Sequence, residues 1–258
     1  MIKLIATDID GTLLGLNKLM PQNANNIIRK MIAKDILFVP ASGRSYSSME
    51  NLFSSFIKDI AIIAENGAIL DYKGEEFFSK IISKKLIINI VQFLETENTF
   101  PIINSRNISY LLPRVLTIKD QILNYCTSLH EIKTFDDIKT DIVSISIWVA
   151  DGQVQEVCNL LTKTWTDDII FVITGTHWID AIPSGVNKGE VLKLLMNKLN
   201  ITKEEVVAFG DYDNDIEMLE LARLSYAMDH ASDEVKSHAK SICKPSEILD
   251  IIEEIISQ

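Results

Sequence analysis

Apolar and polar positions alternate along this chain in two rhythms. Short, solidly apolar runs, IKLIA (2–6), ILFVPA (36–41) and IAIIA (60–64) near the start and VVAFG (206–210) and LSYAM (224–228) near the end, are bounded by polar turns. Such runs read as strands buried on both faces, as in a parallel sheet. Between them lie helical stretches. NANNIIRKMIAK places Ile27, Ile28, Met31 and Ile32 on one face, and EVLKLLMNKLN does the same with Val191, Leu194, Leu195 and Leu199. Thr202 to Glu205 has capping-box spacing at the head of a short turn, and Pro245 opens a last helix, PSEILDIIEEII. The order is βαβα, which predicts an α/β fold with a doubly wound, Rossmann-like parallel sheet.

The middle of the chain keeps a different rhythm. From residue 81 to 182 the pattern predicts a helix (KKLIINIVQFLE), a hairpin around NSRN, a helix near IKDQILNYCTSL, a strand IVSISIWVA, a helix QVQEVCNLL and two strands, IIFVIT and WIDAI. In IVSISIWVA, Val143, Ile145, Ile147 and Val149 alternate with Ser144, Ser146 and Trp148, as in a sheet whose faces meet different surroundings. We therefore expect a core built from 1–80 and 183–258, with an inserted α+β module at 81–182. No internal repeat or low-complexity linker interrupts it.

Composition narrows the function classes. The chain has 258 residues, 47% hydrophobic and 24% charged, with ten Gly and six Pro, enough to bury a large core. Lys and Arg number 25 against 36 Asp and Glu, a formal charge of −11, which disfavours nucleic acid or an anionic membrane as partner. Cys126, Cys158 and Cys243 are widely spaced and form no C-x-x-C pair, so neither a zinc site nor a disulfide framework is expected. The N-terminus turns acidic by residue 8 and no apolar run reaches the roughly 18 residues of a membrane span, so the expectation is a soluble cytoplasmic protein.

Four stretches carry candidate chemistry. In TDIDGT (7–12), Asp8 and Asp10 fall at the carboxyl end of the first strand, the edge where open α/β sheets bind ligands. Residues i and i+2 of a strand share a face, so the two acids would repel unless a cation or shared proton intervened, and a hard divalent ion is the simplest remedy. Gly11 lets the backbone turn closely beneath a ligand and Thr12 adds a hydroxyl; Asp-Gly is equally a common turn dipeptide. In FGDYDNDIEML (209–219), Asp211, Asp213 and Asp215 suggest a calcium loop, but the sixth and twelfth positions hold Ile216 and Ala222, which excludes an EF-hand. Asp211 is instead placed to approach the Asp8/Asp10 pair as a further metal ligand, with Asn214 and Asp215 opening the next helix; the alternative is a well-capped helix start. ASGR (41–44) offers the Ser42 hydroxyl, the Gly43 amide and the Arg44 guanidinium to an anion. GVNKGE (185–190) sets Lys188 in a helix's first turn, where a cation is disfavoured by roughly 0.3–1 kcal/mol; a phosphate oxygen would explain it, as would simple solvation in an exposed turn.

Taken in order, DIDGT, ASGR, GVNKG and GDYDND resemble the four motifs of the haloacid dehalogenase superfamily, specifically its Cof-type phosphatases with a type IIB cap inserted between the second and third motifs. ENGA (65–68) also resembles the family, and the likeness spans almost the whole chain. It implies a Mg²⁺-dependent phosphomonoester hydrolase working through an aspartyl-phosphate. By that resemblance Asp8 is the nucleophile and a metal ligand. Asp10 is the general acid and base, a role a raised pKa would favour, and its carbonyl binds the metal. Ile9 and Gly43 through their amides, Ser42, Lys188 and Asn214 hold the phosphoryl oxygens, and Asp211 completes the metal ligands. Asp215 supports Lys188 or metal-bound water, with Thr12 and Arg44 in supporting places. The implied partner is a small phosphorylated metabolite such as a sugar phosphate, and the chain a monomer or small homo-oligomer; Arg106, Trp148, His177 and Trp178 are candidate cap residues to face the substrate, the alternative being a core place for a Trp on a half-apolar strand and solvation for Arg106 in a hairpin turn. A phosphotransferase or mutase on the same chemistry, or a non-catalytic phosphate-binding module, are the other classes consistent with the motifs. Two features depart from the family pattern: Pro40, expected to stop or bulge the second strand, and Asp229-His230, where relatives often carry Gly and Asn.

Overall fold

The computed structural model describes residues 1–15, 18–95, 98–122, 128–165 and 167–257. From the N-terminus the chain forms β1 (Leu4–Asp8), α1 (Ala24–Ala33), β2 (Leu37–Ala41), α2 (Tyr46–Leu52), β3 (Ala61–Ala64), β4 (Ile69–Tyr72) and β5 (Glu75–Ser79). The middle part gives α3 (Lys84–Phe93), β6 (Thr99–Ser105), β7 (Ser109–Leu111), α4 (Lys119–Ile122), β8 (Leu129–Glu131), β9 (Ile142–Val149), α5 (Val154–Thr164), β10 (Ile169–Ile173) and β11 (Trp178–Pro183). The last part gives α6 (Lys188–Leu199), β12 (Val206–Gly210), α7 (Ile216–Glu220), β13 (Leu224–Met228), α8 (Asp233–His238), β14 (Ser241–Cys243) and α9 (Ile248–Ser257). Two compact units result, one of Met1–Ser42, Ser55–Phe77 and Asn187–Gln258, the other of Gly43–Ser54 and Phe78–Val186. Among the described residues no helix is long and apolar enough to cross a membrane.

The first unit is built on an eight-stranded sheet in the order β14-β13-β12-β1-β2-β3-β4-β5. The strands run parallel from β14 to β3, and β4 turns back against β3. The predicted doubly wound α/β class is the one observed. Its strands are fully buried where the sequence is solidly apolar, as at Leu4, Ile5 and Ala6 of β1 and Val206, Val207 and Ala208 of β12. Because β1 lies between β2 and β12, the strand order reverses there, and the carboxyl ends of β1 and β12 open side by side.

Three local expectations are revised. β2 runs through Pro40, which sits opposite Thr7 of β1. The Leu37 N–H donates to Lys3 of the β1 side and the Ser42 N–H to Ile63 of β3, so by alternation position 40 faces β3; there the pairing shrinks to Ala41 opposite Ile63. In α6 the buried positions are Lys188, Gly189, Val191, Leu192, Leu195 and Met196, while Leu194 is exposed. Lys188 faces inward together with Val191, Leu192, Leu195 and Met196. α9 begins at Ile248, after a single turn led by Pro245. The short edge strands β5 and β14 carry too few buried residues to announce themselves in the sequence.

The second unit holds a six-stranded sheet in the order β10-β11-β9-β6-β7-β8. It is antiparallel except where β8 joins β7, and β6 with β7 forms the hairpin expected around NSRN. Ile145, Ile147 and Val149 of β9 pack with Ile87, Ile90 and Val91 of α3 and Leu161 of α5, three of the four apolar positions of the predicted alternation; at the register shift between β6 and β9 Ile142, and not Val143, joins this cluster. Ser144, Ser146 and Trp148 lie on the opposite face. The helix expected near IKDQILNYCTSL is seen at Lys119–Ile122, and the rest of that stretch up to residue 127, with Cys126, lies outside the described residues.

The turn before β12 is tied to the first strand. Lys3 Nζ lies 2.6 Å from Glu205 Oε1, the Lys3 N–H donates to the Glu205 carbonyl, and the Thr202 N–H donates to Glu205 Oε2 at 2.9 Å, closing the predicted capping box. The Lys3 ammonium and the Thr202 amide hold the Glu205 carboxyl below its usual range, at about 2. A carboxyl depressed by folding stabilises the folded chain above its unfolded value and loses that contribution as pH falls towards the folded one. We predict that the urea midpoint falls between about pH 4.3 and pH 2 and that Glu205→Gln flattens the fall over that window. Parallel acid profiles for the two proteins would remove Glu205 from the account.

Candidate functional site

β1 ends at Asp8, and the backbone then enters a tight turn, Ile9–Leu13, that carries Gly11 at φ +87°. Asp10 therefore lies in the turn that follows the strand, with extended backbone angles (φ −82°, ψ 118°). The carboxylates that do converge are Asp8, Asp211 and Asp215, with one oxygen of each within 4.8 Å of the others. Asp211 follows β12 and Asp215 precedes α7, so adjacent strand ends and the start of one helix bring together residues about 200 positions apart in sequence.

Lys188 organises the cluster. Its Nζ donates to Asp8 Oδ1 at 2.6 Å and to Asp215 Oδ1 at 2.7 Å, and all three side chains are buried. Asn187 caps α6 by accepting the Glu190 N–H at 2.7 Å, which fixes Lys188 as the first helical residue. A cation at a helix start opposes the dipole; two buried carboxylates supply the compensation that the sequence left open. Asp215 Oδ2 accepts the N–H groups of Asp211 and Tyr212 at 3.0 and 3.1 Å, so this side chain both pairs with the lysine and shapes the turn that carries Asp211.

Asp211 is held from two other turns. Thr12 Oγ1 donates to its Oδ1 and His230 Nε2 lies by its Oδ2, each at 3.1 Å. A β-carbon on Gly11 would fall 2.3 Å from Asp211 Oδ2, so the close approach of the first turn depends on glycine there. Asn214 Nδ2 donates to Asn66 Oδ1 at 2.8 Å, joining the ENGA stretch to this end of the sheet. Asn66 has φ +53°, a left-handed conformation that asparagine tolerates better than most residues.

Electrostatics favour an added positive charge. Burial pushes the Asp8 carboxyl well above its usual range, with Asp215 and Asp211 adding to the rise and Lys188 opposing it. Asp211 is raised by burial and then by Asp215. Burial works against the Lys188 ammonium, but Asp215 and Asp8 outweigh it and hold its pKa above the usual value. Three carboxylates face one ammonium, and Asp8 Oδ2 is buried without a hydrogen-bond partner. An all-oxygen donor set with a surplus of negative charge and one unpartnered lone pair suits a hard divalent cation, and Asp8, Asp211 and Asp215 are the residues that could hold it.

The other predicted residues are placed as follows. Ile9 and Ser42 are buried in the same unit, and the Ser42 carbonyl accepts the Asn66 N–H. Gly43 and Arg44 belong to the second unit, together with α2. There the Arg106 guanidinium lies 3.7 Å over the Tyr46 ring, Trp148 stacks on His177 at 4.6 Å, and Trp178 is buried edge-on against Trp148. Sequence reasoning gave Asp215 only a supporting place and assigned no role to Asn66; a buried carboxylate that ties the turn before it and a left-handed residue leave little signature in a single chain.

Residues 5–256 match the family of haloacid dehalogenase-like hydrolases. Over 266 residues the chain is 32% identical to the 5-amino-6-(5-phospho-D-ribitylamino)uracil phosphatase YbjI of Escherichia coli, covering 99% of this chain and 96% of that one. It superposes on SMU.1108c from Streptococcus mutans with a TM-score of 0.89 at 26% identity, covering 100% of each. It also superposes on the HAD subclass IIB sugar phosphatase BT4131 with a TM-score of 0.79 at 19% identity, covering 98% of each, a likeness of fold.

Two predictions follow from the charge arrangement. A divalent cation at a hundred times its Kd should stabilise the chain by about 2.7 kcal/mol, raising its melting temperature, and Asp211→Asn should remove most of that shift; a wild-type melting temperature indifferent to cation would refute the fit. Lys188→Met leaves two buried carboxylates without their cation and should cost about 3–5 kcal/mol at neutral pH, measured by urea denaturation in a chelator. A loss under 1 kcal/mol would mean that the pairing contributes little.

Proposed function

Because the chain belongs to the haloacid dehalogenase-like hydrolases, as a Cof-type phosphatase, we propose that it hydrolyses phosphate monoesters of sugars or sugar alcohols through a phosphoryl group carried covalently on Asp8. The observation that supports this most directly is the asymmetry of Asp8. One oxygen is clamped by Lys188 at 2.6 Å, while the other is buried, has no hydrogen-bond partner and is available to attack. A carboxylate so held has a fixed direction, which is most of what a nucleophile needs from its surroundings.

In the first half-reaction Asp8 Oδ2 forms a bond to phosphorus as the ester P–O bond breaks, and Asp10 gives its proton to the departing alkoxide oxygen. In the second, Asp10 takes a proton from a water that attacks phosphorus, the Asp8–phosphorus bond breaks, and inorganic phosphate leaves. Lys188 spends two of its three N–H donors on Asp8 and Asp215 and has one left for a phosphoryl oxygen. Asn214 spends one amide hydrogen on Asn66 and has a second. The Ile9 amide, Ser42 and the Gly43 amide next to it in sequence complete the oxygen contacts, a task of positioning and charge stabilisation. Asp8, Asp211 and the Asp10 main-chain carbonyl, with Asp215 in reach, would hold Mg²⁺, whose chemistry there is neutralisation of the phosphoryl charge. Segment 81–182 is assigned the choice of leaving alcohol, and the phosphoribityl compound named for the Escherichia coli relative marks the substrate class to try first.

Phosphate release should require Mg²⁺ and fall by about 10³-fold or more in Asp8→Asn. In Asp10→Asn it should fall by about 10²–10⁴-fold on alkyl phosphates, with a smaller loss on an aryl phosphate, whose leaving group needs no proton. Full turnover by Asp8→Asn would exclude the covalent route, and equal losses on both substrate types would deny Asp10 its role as acid.

A further inference from the structure

We propose that His230 is a positioning residue for Asp211, holding that carboxylate in the orientation in which it receives the cation. This rests on the assignment of Asp211 as a cation ligand. The geometry comes from three neighbouring strands. β1, β12 and β13 are adjacent in the sheet, and the turns at their carboxyl ends carry Thr12, Asp211 and His230 in that order. Asp211 therefore sits between two donors, with Thr12 Oγ1 at 3.1 Å on Oδ1 and His230 Nε2 at 3.1 Å on Oδ2. As a cation ligand Asp211 is ionised and has no proton to give, so His230 is the donor.

The remaining contacts limit movement of both partners. Gly11 closes the space beside Asp211 Oδ2; a β-carbon there would lie 2.3 Å from that oxygen and 3.5 Å from His230 Nε2. The backbone of the His230 turn is itself fixed, since the Asp229 N–H donates to the Cys243 carbonyl and the Ala231 N–H to the Met228 carbonyl. Asp229 Oδ1 stands 3.6 Å from His230 Nδ1, so the ring lies between two carboxylates, one on each nitrogen. A ligand carboxylate hydrogen-bonded on both oxygens has less freedom to lose when the ion arrives, and such supporting groups typically contribute about 10–100-fold in metal affinity. The Asp-His pair at 229–230 is where the sequence departs from the family pattern, and this contact gives that departure a task.

The test is calorimetric titration of the full chain with Mg²⁺, for wild type, His230→Ala, His230→Gln and Asp211→Asn. His230→Ala should bind about tenfold more weakly, while His230→Gln, whose Nε2 is a donor of similar reach, should recover most of the affinity. At saturating Mg²⁺ the KM of His230→Ala for substrate should match wild type, because the residue acts on the ligand and not on the substrate. Wild-type affinity in His230→Ala, or no recovery in His230→Gln, would overturn the proposal while leaving the cation site intact. No binding by wild type, or unchanged binding by Asp211→Asn, would instead defeat the cation assignment and this proposal with it. Should His230→Ala fail to fold, His230→Asn, whose amide stops short of Asp211, takes its place with the same expected loss.

Discussion

A single buried ammonium governs the architecture of the site. Lys188 reaches from the first turn of α6 to Asp8 on one side and Asp215 on the other, both within ordinary hydrogen-bond distance and all three shielded from water. Without it, two carboxylates would lie in a low-dielectric interior with no compensating charge, a state that folding tolerates only by protonating them. With it, both acids are paired and held in place. The lysine shares the inward face of its helix with Val191, Leu192 and Leu195, while Leu194 lies outside.

The site is negative by design, and its parts divide that burden unequally. Asp215 is occupied on both oxygens, by Lys188 and by the backbone of the Asp211 turn, and so behaves as a scaffold. Asp211 is braced by a hydroxyl and an imidazole. Asp8 alone keeps an oxygen with no partner. Three residues of one type thus hold three situations, and the difference lies wholly in what surrounds them. That is the sense in which a fold makes chemistry out of a repeated side chain.

Much of this was legible before any coordinates. The solid apolar runs at the two ends announced a parallel sheet, and the alternation in IVSISIWVA announced a second sheet whose two faces meet different surroundings, because burial imposes those periods directly. Asp8, Lys188 and Asp211 stood out through placement, each beside the end of a core strand or at the head of a core helix. What stayed hidden depends on distance in sequence. The Asn214–Asn66 bond spans 148 residues and the Thr12–Asp211 bond 199, and no local pattern encodes either. β1 stops at Asp8, so the strand period that relates Asp8 to Asp10 in the sequence ends there. The α6 face was misjudged because leucines occur on more than one side of it: Leu194 is exposed, while Leu192 and Met196 are buried.

The sheet order also carries a consequence for how the chain comes to be folded. β1 is flanked by β2, made soon after it, and by β12, made about 200 residues later. While a ribosome is still producing the second unit, β1 presents an unpaired edge, and Asp8 waits at its end for a lysine not yet synthesised. Partners this remote slow folding, because a long loop must close before any contact repays it. The second unit's sheet draws all its strands from one unbroken stretch, β6 to β11, and can assemble in the interval. An exposed apolar strand edge is a site for pairing with other chains. For this protein the open edge of β1 gains its neighbour only when β12 is made, soon after α6 delivers to Asp8 the counter-charge of Lys188.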